Sequence, residues 1–216
     1  MFIPMINKRA FEIYRLFAIK QNSVFLLLCL IFVGCSYTPH HYSFSLLESQ
    51  NETMSFVDSD VEFRFVPSSE NIQVSIKNKT DHEITIVRDI AEYLDPLGKS
   101  FKVHYGYDYV EEVLNFKIED RRSVDPLRIK PGTEITGYVW INNCPNFLIG
   151  RGTVLISTYN IVNDMTPLLP RYSFEGSVKE LKGLTFNLIL PIDFGEYVRD
   201  YTFTFMIDDV IEGRKN

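Results

Sequence analysis

Three kinds of side chain in this 216-residue chain could do chemistry: cysteine thiols, histidine imidazoles and paired carboxylates. Cys29 lies inside an apolar run, Cys35 follows that run, and Cys144 sits in the turn-rich Asn142-Asn143-Cys144-Pro145-Asn146. No charged neighbour would lower the pKa of Cys144, so it reads as a half-buried loop cysteine rather than a reactive one. His82, flanked by Asp81 and Glu83, reads as a solvated turn residue. His104 alternates away from the apolar face of its strand. It would need partners from elsewhere, such as Asp89 or Glu112, to act as a base or a ligand. His40 and His41 point opposite ways on an extended chain, which fits a solvated tether better than a metal site. The acidic pairs Asp58/Asp60, Asp108 with Glu111/Glu112, and Asp208/Asp209 lack the spacing of calcium loops and read as solvated acids. There is no His-Glu-x-x-His, Gly-x-Ser-x-Gly, phosphate-cradling glycine loop or Cys-x-x-Cys. No catalytic residue, metal or cofactor is implied. The recognition candidate is Tyr105-Gly106-Tyr107-Asp108-Tyr109. Exposed tyrosines offer large contact area at modest entropy cost, which suits a protein or glycan partner. In the plainer reading, one or two of Tyr105, Tyr107 and Tyr109 cap a sheet edge.

The elements that position these residues begin with an address. Ten apolar residues run from Val24 to Val33, preceded by Lys8, Arg9, Arg15 and Lys20. A basic lead, a short apolar run and then small residues describe a secretory signal. The run is about half of the ~20 residues a membrane-crossing helix needs. The basic lead stays on the cytoplasmic side and directs the rest of the chain outward.

Phe32-Val33-Gly34-Cys35 resembles the lipobox of bacterial lipoproteins. The resemblance implies cleavage after Gly34, a diacylglycerol on the Cys35 thiol, and usually a further acyl chain on its new amino group. Phe32 departs from the commoner Leu. The place after Cys35 is Ser36 and not the Asp that retains enteric lipoproteins in the inner membrane, which leans towards the outer membrane. The competing reading is an uncleaved, membrane-anchored protein with Cys35 at the end of a helix. With two or more acyl chains the attachment is stable, each buried methylene contributing about 0.8 kcal/mol.

Removing residues 1–34 takes away four basic residues and one acidic residue, so the net charge moves from −6 to −9. An acidic chain without a basic stripe is a poor partner for nucleic acid or an anionic lipid surface. Cys144 alone remains after lipidation of Cys35, so the mature chain has no intramolecular disulfide. Its length fits one domain with a real core.

Residues 35–60 read as the lipidated cysteine and a polar tether, with order only around Phe44, Leu46 and Leu47. From Val61 to residue 216, period-two alternation predicts strands. Val61, Phe63 and Phe65 share a face, as do Ile72, Val74 and Ile76, then Ile84 and Ile86. Asp95-Pro96-Leu97-Gly98-Lys99 predicts a hairpin bend before Phe101, Val103 and Tyr105. Further strands are expected at 135–141 with Trp140, at 153–159, at 185–190 and at 201–207. A helical turn or hairpin start is expected at 179–182, and longer connections at 106–128, 142–152 and 160–184. Eight or nine short strands without a long amphipathic helix point to an all-β, antiparallel sandwich.

The stretch IKNKTDHEITIVRDIAEYLDPLGKSFKVHYG, followed by LRIKPGTEI, resembles a pattern in bacterial lipoproteins with immunoglobulin-like domains. It implies fold and location and brings no catalytic residues. The expected function is a non-enzymatic binding or assembly module, held in the cell envelope by acyl chains and meeting a protein or glycan partner in the periplasm or at the surface. The alternative is an envelope enzyme or metal-dependent factor on the same scaffold.

Overall fold

The computed structural model describes residues 38–48, 53–107, 126–141 and 166–213. The chain divides into two units, one of Met1–Thr38 with Lys215–Asn216, the other of Pro39–Arg214. The second carries the fold. Its described residues form eleven strands, one 3-10 turn at Arg88–Ile90 and no α-helix. The strands are β1 (His41–Leu46), β2 (Ser55–Val57), β3 (Val61–Pro67), β4 (Ile72–Asn78), β5 (Ile84–Ile86) and β6 (Glu92–Leu94). They continue with β7 (Ser100–Gly106), β8 (Leu127–Ile129), β9 (Glu134–Ile141), β10 (Thr185–Asp193) and β11 (Val198–Ile211).

All strand pairs are antiparallel, and nine strands follow one path: β1-β11-β10-β6-β7-β9-β4-β3-β2. β5 joins the side of β10 and carries β8. β7 connects two limbs of this path. Ser100–Lys102 pair with β6, whereas Val103–Gly106 pair with β9. The result is a single, nearly barrel-shaped antiparallel sheet, where the sequence had suggested two separate ones.

The core forms where the limbs face each other. Alternation turns Phe63 and Phe65 of β3 inward, and Tyr201, Phe203 and Phe205 of β11 meet them. Phe63 lies 5.0 Å from Tyr201 and 4.8 Å from Phe203, while Phe65 lies 4.6 Å from Phe203 and 5.3 Å from Phe205, centroid to centroid. Such aromatic pairs add about 0.5–1.5 kcal/mol each beyond simple area burial.

The expected hairpin at 95–99 forms. Leu97 and Lys99 donate their amides to the Asp95 carboxylate at 2.9 and 2.8 Å, and Gly98 takes the left-handed φ of +81° that closes the bend. Lys130-Pro131-Gly132 also turns, but β8 and β9 on either side of it pair with β5, β4 and β7 rather than with each other. At 179–182 the chain makes tight turns, with Leu181 N–H bonding to Val178 O. The expected strand at 153–159, the connection 142–152 and all of 106–128 except its first two and last three residues lie outside the described residues.

The polar stretch after Cys35 is largely not a tether. β1 and β2 lie within it, and β1 pairs with β11 from His41↔Ile211 to Leu46↔Phe205. The reason is a weak alternation. Tyr42, Phe44 and Leu46 turn to the core between polar residues, and Phe44 packs edge-on against Phe186 at 5.7 Å. The folded unit therefore starts at Pro39, not Val61.

Strand directions sort the turns to two ends. The 58–60, 79–83, 130–133 and 194–197 turns share one end. The start of β1, the finish of β11 and the 68–71 and 95–99 turns share the other. That second end is strapped by residues 166–175. Leu168 and Leu169 are buried in the core, and Leu169 N–H bonds to Ser69 O at 3.0 Å. Tyr93 donates its hydroxyl to Leu168 O at 3.0 Å and Tyr42 donates to Pro170 O at 2.6 Å. Burial, and then the Glu175 carboxylate, push the Tyr42 pKa up to about 12, so this donor keeps its proton at neutral pH.

Candidate functional site

The expected recognition loop leaves the sheet where β7 and β9 pair. Val103 and Tyr105 face the core, so alternation sends His104 to the outer face between them. His104 stands opposite Trp140 in the register, and Trp140 lies 5.5 Å from Tyr138 on the same face. Gln73 of β4 stands opposite Tyr138. Although they belong to the outer face, His104 and Trp140 are only 5% and 7% exposed. Tyr107, just past β7, is half-exposed. An imidazole, an indole and the Tyr138 phenol thus share one face where β7 and β9 pair, and Tyr107 follows just past the strand. Flat amphipathic rings with polar tips suit contact with protein or sugar surfaces.

Tyr105 does not belong to that surface. It is fully buried, donates its hydroxyl to Val74 O at 3.1 Å and packs over Gly137. Its strand alternation with Phe101 and Val103 already put it on the inner face, and that signal outweighs its place in a tyrosine-rich stretch. Tyr109, Asp108, Glu111 and Glu112 lie outside the described residues, as do the side chain of Asp89 and Cys29, Phe32, Val33, Gly34, Cys35 and Cys144.

Of the acids expected to be solvated, Asp58 and Asp60 are part-buried and paired, whereas Asp209 stays half-exposed. Asp58 Oδ1 accepts the Asp60 and Val61 amides at 2.8 Å each, which forms the turn between β2 and β3. Its Oδ2 accepts from the Tyr201 hydroxyl at 2.9 Å and from Arg199 at 3.1 Å. Arg199 also meets Asp60 at 3.0 Å, and its guanidinium lies 5.4, 5.5 and 5.6 Å from the ring centres of Phe194, Tyr197 and Tyr201. This cluster pins the 58–60 turn to β11. Sequence reasoning missed it because the partners are about 140 residues apart, although Asp58-Ser59-Asp60 directly before a strand was a visible turn signal. Asp208 accepts from Ser45 at 2.8 Å and Asp209 pairs with Lys182 at 2.8 Å, both on β11.

Burial alone would raise the Asp58 pKa, but the Val61 and Asp60 amides, the Tyr201 hydroxyl and Arg199 outweigh it and hold the carboxyl below the usual range. A depressed folded pKa contributes stability above the unfolded value of about 3.9 and loses it as pH falls through the folded value. Asp58→Asn should therefore lower stability by about 1–2 kcal/mol at neutral pH. In urea melts, the gap between variant and parent should close as the pH is taken below the usual carboxylate range.

His82 is half-exposed and lies 3.0 Å from Asp81 through Nδ1. His40, expected in a solvated tether, is buried. Its Nδ1 accepts the Gly213 amide at 2.8 Å, so Nε2 carries the proton, and Nε2 has no partner. Among the described residues, no three His, Cys, Asp or Glu side chains gather into a metal-binding group, and no helix is long and apolar enough to cross a membrane.

Comparison of the chain with protein-family models, with curated proteins and with solved structures finds no match in any of the three.

Proposed function

We propose that this chain is a lipid-anchored envelope protein whose folded unit works by binding or assembly rather than by catalysis. The observation that carries this reading is the order of the chain. A basic lead, a ten-residue apolar run and Phe32-Val33-Gly34-Cys35 come directly before a folded all-β unit that starts at Pro39. Acyl chains on Cys35 would hold that unit beside a bilayer, with the outer membrane favoured by Ser36. The two facing limbs of the sheet are read as an immunoglobulin-like sandwich, supported by the packing of Phe63 and Phe65 against Phe203 and Phe205. The partner, a protein or glycan of the envelope, would meet the outer face at Tyr107 and Tyr138, with the buried His104 and Trp140 beneath them.

Metabolic palmitate labelling tests the anchor. The wild type should be labelled and Cys35→Ala should not be, with the variant released to the soluble fraction. Equal labelling of the two would refute the assignment. Cross-linking in intact cells tests the partner: Tyr107→Ala should recover less of the partner that the wild type captures.

A further inference from the structure

We propose that the end of the sheet where β1 begins and β11 finishes lies against the lipid bilayer, with Phe174 and Ile211 at the boundary between headgroups and acyl chains. This rests on the anchoring of Cys35 proposed above. The length of chain in front of the folded unit makes the argument. His40 is fixed at this end, its amide bonded to Arg171 O at 2.7 Å and its ring to the Gly213 amide. Five residue steps separate Cys35 from His40, a reach of at most about 18 Å. β11 has 14 residues and so extends roughly 40 Å from this end to the 194–197 turn at the other. A leash less than half that length keeps the β1 end near the membrane, and the far turn is under no such bound.

The surface beside the leash suits that position. Ile211, opposite His41 in the register, and Phe174, three residues beyond Arg171, are each 64% exposed. Phe174 stacks on Tyr172 at 5.3 Å, giving a broad aromatic face. Arg171 is already matched, pairing with Glu175 at 2.7 Å and with Glu70 at 3.5 Å. The acidic balance of the mature chain gives no attraction to anionic lipid, so the contact is apolar and a zwitterionic bilayer is its partner. Interfacial apolar groups of this kind sit about 5–10 Å into the headgroup–acyl boundary.

The test uses the protein isolated from membranes, with the mass of its amino terminus determined first. It is then reconstituted in phosphatidylcholine vesicles with plain or brominated acyl chains. Phe174→Trp and Ile211→Trp report on the near end, Tyr197→Trp on the far end, and the parent with Trp140 alone gives the background. Brominated chains should quench the two near-end variants and leave Tyr197→Trp and the parent unchanged. If acylated protein shows near-end emission quenched no more than that of Tyr197→Trp, the orientation is wrong and the anchor stands. If the protein carries no acyl chains and stays off the vesicles, the anchor fails and the orientation fails with it.

Discussion

Phe203→Ala should destabilise the folded unit by about 3–5 kcal/mol, the usual cost of emptying a buried aromatic site. Phe203 is almost wholly buried, and its ring meets Phe65, Phe63, Phe56 and Tyr201 at 4.6, 4.8, 5.7 and 6.3 Å. Those neighbours come from β2, β3 and β11, so the ring sits where the two limbs press together. Strand neighbours are fixed by the β-ladder and cannot collapse far into the void. Against a typical total stability of about 5–15 kcal/mol, the loss is a large fraction. Phe203→Leu keeps most of the volume and should cost less than about 1.5 kcal/mol. Urea melts of both variants give the comparison; a loss below about 1 kcal/mol for Phe203→Ala would mean that the limbs do not rely on this contact.

Gly137→Ala should cost about 2–3 kcal/mol, by overpacking rather than by a void. A Cβ at Gly137 would lie 2.8 Å from Tyr105 Cζ, 3.0 Å from its Cε1 and 2.9 Å from the carbonyl oxygen of Gly106. The Gly106 carbonyl is backbone within the β7–β9 pairing, and it cannot yield cheaply. Nor can Tyr105, which is buried and held to Val74 O by its hydroxyl. Pairing the change with Tyr105→Val should remove the ring clash, so the double variant should lose less stability than the two single losses added together. Strict additivity would show that Tyr105 is not what Gly137 makes room for.

Much of the fold was legible because β-strands print their burial at period two. β3, β4 and β11 alternate cleanly, and the structure places their inner faces together. The Asp95–Lys99 bend was legible because Asp, Pro and Gly there satisfy a specific turn. β1 was not, because Tyr42, Phe44 and Leu46 are diluted by histidine and serine and their burial is decided by β11, about 165 residues away. The sharing of β7 between two limbs was equally hidden. One strand changes partners midway, and the alternation of its side chains carries no mark of that change. At the candidate site, composition misled for Tyr105 where alternation did not. The Asp58–Arg199–Tyr201 cluster could not be read from spacing, since its energy lies in contacts between residues about 140 positions apart in the sequence.

All of the functional account depends on the thiol of Cys35. The direct measurement is the intact mass of the protein purified from its native membrane, with fragmentation at the amino terminus. The account predicts a chain that begins at Cys35 and is heavier by a thioether-linked diacylglycerol, with or without an amide-linked acyl chain. A chain that keeps residues 1–34, or one that begins at an unmodified Cys35, would contradict it.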